Sequence, residues 1–340
     1  MSDIAGWDIG GAHLKMARVR DRRIVEVRLL ACPLWQGIDR LTQALDQATH
    51  DGAAGRHAVT MTAELCDLFA DRAAGVRAVL ELLRGRLRGE IMIYGAGEFL
   101  DVTAAMAMPQ AVASANWHAA ARYAAARCGD GLLVDIGSTT SDLVPLIGAR
   151  VAARGPGDAE RLASGELVYS GVVRTPLMAL ARHVFVAGAR VGVMAEAFAT
   201  TADVHRLTGA LPETADQHAT ADGRGKSPAE SRARLARMIG RDAAAAPDAA
   251  WDELARQFAG RQLQQLEDAA AQVLSAAPVP RQAPVIGAGV GRFLAAALAQ
   301  RLERPYRSFA EIVPAESDVA EAAADCAPAA AVGLLLATMG

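Results

Sequence analysis

The sequence predicts an α/β protein made of two similar halves that face each other across a cleft. Two short apolar runs each deliver an aspartate into a turn of small residues: Trp7-Asp8-Ile9-Gly10-Gly11-Ala12, and far downstream Val134-Asp135-Ile136-Gly137-Ser138-Thr139-Thr140-Ser141-Asp142. Around each, strand, turn, strand, turn, strand follow in the same order, although residue identity between the copies is low. Strand-like and helix-like stretches then alternate, which is the pattern of α/β domains. At 340 residues the chain is long enough for two cores.

Taken in order, residues 4 to 9, 13 to 20 and 23 to 31 read as an antiparallel meander. Leu14, Met16, Arg18 and Arg20 alternate there with Lys15, Ala17 and Val19, and polar turns separate the runs. Residues 37 to 50 form an amphipathic helix with Ile38, Leu41 and Leu45 on one stripe. His57 to Met61 reads as a strand, Val76 to Arg88 as a helix and Glu90 to Tyr94 as a strand. An alanine-rich helix from Pro109 to Arg127, containing Asn116, Trp117 and His118, joins the first half (1–125) to the second (126–340). The meander then returns as strands at 131–136, 142–147 and 150–154. A polar insertion of about 203–248 follows, rich in Thr, Asp, Gly and Pro, and a stretch of that kind is functional or disordered. Helices are expected at 230–240 and 251–275, the second carrying Leu254, Phe258, Leu263, Leu266 and Val273. Strand 283–287, helix 292–302, a strand near 306–309 and an apolar terminal helix at 319–338 complete the chain.

Composition narrows the function classes. A net charge of −3 argues against a nucleic-acid partner, and 4% aromatics leave no stacking platform for bases. Cys32, Cys66, Cys128 and Cys326 lack metal or redox spacing and read as reduced thiols. No apolar run reaches membrane-spanning length and no charged-then-apolar leader opens the chain, so the expectation is a soluble, cytoplasmic protein with no membrane partner. Self-association into a homo-oligomer stays open.

The paired turns carry the chemistry. Residues without bulk let the backbone approach a phosphate, and their N–H groups point at its oxygens. An aspartate at the strand end repels phosphate but holds hydrated Mg²⁺, an ion that takes one or two carboxylates and keeps its waters. Asp8 and Asp135 are therefore the candidate metal ligands, and Gly10, Gly11, Gly137, Ser138, Thr139 and Thr140 the candidate phosphate contacts. Gly287-Ala288-Gly289-Val290-Gly291 has G-x-G-x-G spacing, not the G-x-G-x-x-G of a dinucleotide fingerprint. Gly287, Gly289 and Gly291 read better as a backbone wall beside a nucleotide or other phosphorylated small molecule.

In the order of these three loops the chain resembles the actin, sugar kinase and Hsp70 superfamily, with Asp8-Ile9-Gly10-Gly11 as first phosphate motif, Asp135-Ile136-Gly137-Ser138-Thr139-Thr140 as second, and the Gly287 loop at the adenosine motif. The resemblance implies two ribonuclease H-like (actin-like ATPase) domains. Within the superfamily the chain most resembles the hydantoinase and oxoprolinase group. More narrowly it looks like the proteins linked to tetrahydromethanopterin-dependent one-carbon transfer, whose archaeal relatives are methanofuran-biosynthesis synthases. Segments carrying that match include Gly10-Gly11-Ala12-His13-Leu14-Lys15, Met61-Thr62-Ala63-Glu64-Leu65-Cys66, Ser114-Ala115-Asn116-Trp117-His118, Gly165-Glu166-Leu167-Val168-Tyr169, Arg174-Thr175-Pro176 and Thr200-Thr201-Ala202-Asp203-Val204.

The resemblance implies an enzyme, a transferase that joins an aminomethylfuran methyl diphosphate to the phenol oxygen of a glutamylated tyramine or tyrosine and releases pyrophosphate. Mg²⁺ is then the expected cofactor and ATP an optional occupant. Asp8 and Asp135 would hold the metal, and Lys15, if it points inward instead of toward solvent, would stabilise the departing oxygen. His118 or Glu64, with His13 behind them, would be the general base for the phenol. Tyr169 and Arg174 would recognise a ring and a carboxylate or else simply pack. Asp203, Arg224 and Lys226 belong to a mobile lid in this reading, with the two cations on substrate anions. Two other classes stand beside it: an ATP-dependent kinase or amidohydrolase, for which Asp142 could serve as catalytic aspartate, and a nucleotide-binding scaffold without turnover.

Overall fold

A computed structural model describes residues 3–50, 52 and 54–339. The first half runs β1 (Asp3–Ile9), β2 (His13–Arg20), β3 (Arg23–Ala31), α1 (Asp39–Thr49), β4 (Arg56–Met61), α2 (Arg72–Arg86), β5 (Glu90–Gly95), β6 (Glu98–Asp101), α3 (Val102–Ala107), α4 (Pro109–Val112) and α5 (Asn116–Cys128). The second half follows with β7 (Gly131–Ile136), β8 (Ser141–Ile147), β9 (Arg150–Val151), α6 (Asp158–Ser164), β10 (Leu167–Val168), β11 (His183–Val186), β12 (Ala189–Gly192), α7 (Thr201–Leu207), α8 (Pro228–Arg237), α9 (Asp248–Ala276), β13 (Val285–Ala288), α10 (Arg292–Arg301), β14 (Tyr306–Ser308), α11 (Ser317–Asp325) and α12 (Ala327–Ala337).

The two halves share a topology. The first sheet has the order β3-β2-β1-β4-β5-β6, an antiparallel meander continued by the parallel strands β4 and β5. In the second sheet β7 and β8 are antiparallel, β9 and β10 divide the third-strand place along β8, and β13 and β14 continue in parallel from β7. The expected repeat of two α/β halves is therefore present from the meander through the two parallel strands, while β6 has no counterpart among the described residues of the second sheet.

Strand alternation decides where the aspartates point. Ala5, Trp7 and Ile9 pack outward with α1 and α2, while Ile4 packs inward with α5 and α12. Asp8, two pleats on from Gly6, shares the inner face. In the second sheet Leu132, Val134 and Ile136 pack outward with α9 and α10, and Leu133 packs inward, which turns Asp135 inward too. Both carboxylates thus enter the layer between the sheets.

Three expectations about elements are corrected. The 109–127 helix is two helices, α4 and α5, broken where Ser114 takes a left-handed φ of +52°. The 319–338 helix is α11 and α12, bent by 110° at Cys326, and among the described residues no single helix is long and apolar enough to cross a membrane. The bend returns α12 to the first sheet, where Ala329 to Ala331 join the cluster around Ile4, Val19 and Ala58, so the 126–340 segment does not keep to its own sheet.

Of the polar 203–248 stretch, the expected substrate contacts Asp203, Arg224 and Lys226 do not line the cavity between the halves. The stretch is α7, a connecting segment, and α8, tied by buried ion pairs. Asp203 accepts from Arg234 at 2.8 Å, and Asp216 pairs with Arg206 at 2.5 Å and with Lys226 at 3.3 Å. Part of the polar composition here serves internal pairing, and residues such as Glu213, Thr214 and Arg224 remain exposed.

Candidate functional site

A cavity of about 550 Å³ lies between the halves. Gly10, Gly11, Lys15, Gly137, Ser138, Thr139, Thr140, Tyr169 and Arg174 all line it, so two distant turns meet at one place.

The turns are built alike. In the first, the carbonyls of Gly11 and Ala12 accept from the amides of Leu34 and Cys32 at 3.0 and 2.9 Å. In the second, the carbonyls of Gly137 and Ser138 accept from Val172 and Arg174 at 3.0 and 2.8 Å. Gly171 permits this bracing, because a Cβ there would run into the backbone of Ser138 and Thr139. Among the described residues the amides of Gly11, Ala12, Ser138, Thr139 and Thr140 have no protein acceptor. Carbonyls held back and amides left free make an anion nest on each side of the cleft.

Below the nests Lys15 and Asp142 line the cavity as a charged floor, with Asp8 and Asp135 buried behind them and not on its lining. The turn length places Asp8 opposite Lys15 and Asp135 opposite Asp142 in their antiparallel pairs. Lys15 donates to Asp8 Oδ2 at 2.9 Å, and Asp8 Oδ1 is buried without a partner. Burial works to lower the Lys15 pKa, yet the pull of Asp8 and Asp135 raises it above its usual value. Asp135 is pushed up to about 7 by burial and by Asp142, with Lys15 opposing. Asp142 is also raised by burial, and Arg161, at 2.7 Å, opposes that rise.

A divalent cation fits this floor only in a sparse form. Among the described residues no three His, Cys, Asp or Glu side chains are arranged to hold a metal. Mg²⁺ needs only one or two carboxylates, and the orphaned Asp8 Oδ1 with the crowded Asp135 carboxylate supplies that set.

Aromatic side chains wall the cavity. Arg161 lies over Trp117 at 4.0 Å, and Arg174 over Trp35 at 4.5 Å. His218 reaches in from the connecting segment to lie tilted against His13 and Trp35, at 4.8 and 5.4 Å between ring centroids. His13 is buried on the cavity wall with Nε2 unpartnered, its pKa pushed down to about 3 by burial and by His218.

Other expected site residues lie elsewhere. Trp117 lines the cavity, and its neighbour His118 points about 100° away around the helix, where Nδ1 shares a 2.8 Å hydrogen bond with the Tyr94 hydroxyl. Glu64 is fully buried behind Ser114, whose hydroxyl donates to it at 2.8 Å. Gly287, Gly289 and Gly291 do not line the cavity. The Gly289 amide donates to Ala324 O and the Gly291 amide to Ile136 O, both at 2.8 Å, so these two donors are spent on the protein. Asp203 is locked to Arg234, Lys226 donates to Asp216 O at 2.7 Å, and Arg224 is exposed away from the cavity.

Sequence reasoning missed Arg161, Ser114, Asp158 and Trp35 as cavity residues. Counting outward from each turn would have found the Asp8–Lys15 and Asp135–Asp142 pairs. Nothing local marks Arg161, which reaches Asp142 from α6.

Two α/β halves bring their opposed turns together at this cleft, and the chain belongs to the hydantoinase/oxoprolinase family, whose model matches residues 56–329. It is 30% identical over 238 residues to the (4-{4-[2-(gamma-L-glutamylamino)ethyl]phenoxymethyl}furan-2-yl)methanamine synthase of Methanocaldococcus jannaschii, covering 69% of this chain and 71% of that one. The synthase of the same name from Methanococcus vannielii is 36% identical over 107 residues, 32% of this chain and 46% of that one. Among solved structures, a ROK family glucokinase from Streptomyces griseus aligns over 100% of both chains with 15% identity and a TM-score of 0.49.

Proposed function

We propose that this protein is a transferase-type synthase in the biosynthesis of a methanofuran-type one-carbon carrier. It joins an aminomethylfuran methyl diphosphate to the phenol oxygen of a glutamylated tyramine or tyrosine and releases pyrophosphate. The observation that carries this reading is the pair of opposed nests, whose free amides match the two phosphates of a diphosphate, beside aromatic walls that suit furan and phenol rings. The name of the 30% identical relatives describes a product with that phenoxymethyl-furan ether.

The phenol oxygen forms a bond to the furan methylene as the bond from that carbon to the diphosphate oxygen breaks. Negative charge grows on the leaving diphosphate, where the amides of Gly11, Ala12, Ser138, Thr139 and Thr140 stabilise it. Lys15, held charged by Asp8, stands at the same floor and compensates the departing oxygen. Mg²⁺ bound by Asp8 and Asp135 would supply further charge neutralisation.

The test mixes purified protein and Mg²⁺ with the furan diphosphate and the glutamylated phenol, and follows ether and pyrophosphate with and without ATP. The expected result is stoichiometric ether and pyrophosphate without ATP. No ether, together with ATP hydrolysis, would replace this reading with the kinase one.

A further inference from the structure

Behind the cavity wall lies a buried acid that the reaction above does not use. Glu64 is 1% exposed, its Oε1 accepts from Ser114 Oγ at 2.8 Å, and its Oε2 has no partner. Gly75 of α2 lets the helix press against the Glu64 backbone, since a Cβ at Gly75 would stand 2.7 Å from Glu64 O. Ser114 lines the cavity and holds a left-handed φ of +52°, a conformation that a serine adopts only when its surroundings impose it. A carboxylate fixed behind a strained hydroxyl, with that hydroxyl on the cleft wall, is the geometry of a two-step proton path.

We propose that Ser114 and Glu64 form a proton relay that deprotonates the phenol acceptor. This inference rests on the ether-forming reading of the cleft. The phenol O–H proton passes to Ser114 Oγ while the Ser114 proton passes to Glu64 Oε1. The phenol oxygen then forms its bond to the furan methylene and the diphosphate leaves with the electron pair of the broken C–O bond. Three charged or polar groups face Glu64: Ser114, Arg72 and Asp158. Burial raises the Glu64 pKa, which makes it a better base, and the Ser114 hydrogen bond and Arg72 oppose that rise. Asp158 is 3.4 Å from Ser114 Oγ but is engaged by Arg72 at 2.7 Å, which leaves Glu64 as the acceptor. In this arrangement Ser114 touches the substrate, and Glu64 acts through it.

The experiment compares wild type, Glu64→Gln and Ser114→Gly on the glutamylated tyramine and on ring-fluorinated analogues that enter the site already ionised. Glycine is at ease at the φ of Ser114, so Ser114→Gly removes the hydroxyl without adding backbone strain. Calorimetric binding of Mg-pyrophosphate reports that each variant retains its folded cleft. The expected result is a roughly 100-fold loss of kcat in both variants with the ordinary phenol, shrinking to within about tenfold with the acidic phenols, and pyrophosphate affinity unchanged. Wild-type rates in either variant, or an equal loss across all acceptors, would overturn the relay. A wild type that makes no ether from any acceptor would instead overturn the reading on which the relay rests, and the relay with it.

Discussion

Lys15 and Asp8 are the most consequential pair in the floor of the cleft. Asp8 is 1% exposed and takes its ion-pair partner from the neighbouring strand. Deleting one member of such a pair leaves an uncompensated buried charge, at a cost of about 3 to 5 kcal/mol. Lys15→Met is expected to lower the urea unfolding free energy by about 3 kcal/mol. Added Mg²⁺ should raise the midpoint of the variant more than that of the wild type, because a cation that binds the native carboxylate stabilises it by mass action. A variant as stable as wild type, or one indifferent to Mg²⁺, would count against Asp8 as a metal ligand. The direction of Lys15 was not legible from strand alternation, because both faces of this sheet are covered and neither is the solvent face. It follows from register instead, since a turn of fixed length places Asp8 opposite Lys15. His118 misled for a related reason: adjacency to Trp117 in sequence is divergence on a helix.

At the scale of elements, the contact that closes the fold is β1 against α12. Gly6 and Gly333 meet there: a Cβ on Gly6 would clash with Ala329 O and stand 2.8 Å from Gly333 N, all backbone atoms that cannot rotate away. A Cβ on Gly333 would lie 3.1 Å from Val19 Cγ2 and 3.3 Å from Gly6 Cα, a milder conflict. Gly6→Ala is therefore expected to destabilise by at least about 2 kcal/mol and Gly333→Ala by less than half of that, an order that urea denaturation of the two variants checks. The meander, the alternating strands and the helix after the third loop were readable from their periodicity. The breaks at Ser114 and Cys326 were not, because an alanine-rich run carries no pattern that changes at the bend. The pairing of Asp203 with Arg234, far apart in sequence, is invisible to the composition of the 203–248 stretch.

For the molecule as a whole, the halves are joined by α5 and α12 in a shared core, and side-chain contacts cross the open side of the cleft. Arg72 pairs with Asp158 at 2.7 Å, and Trp35 lies within contact of Arg174 and His218 from the opposite half. The opposed nests act together only when the cleft is closed, so these contacts set how much of the population is competent to bind, and apparent affinity falls with that fraction. A partly exposed ion pair is worth about 1 kcal/mol at most, which limits Arg72→Met to a loss of about fivefold in affinity for Mg-pyrophosphate. Trp35 carries a cation–π contact and an aromatic contact together, worth roughly 1 to 2.5 kcal/mol, so Trp35→Ala is expected to weaken binding by at least about fivefold. Calorimetric titration of both variants distinguishes the cases: Trp35→Ala should be the weaker binder. Wild-type affinity in both would mean that the nests are held in register by the helical core alone.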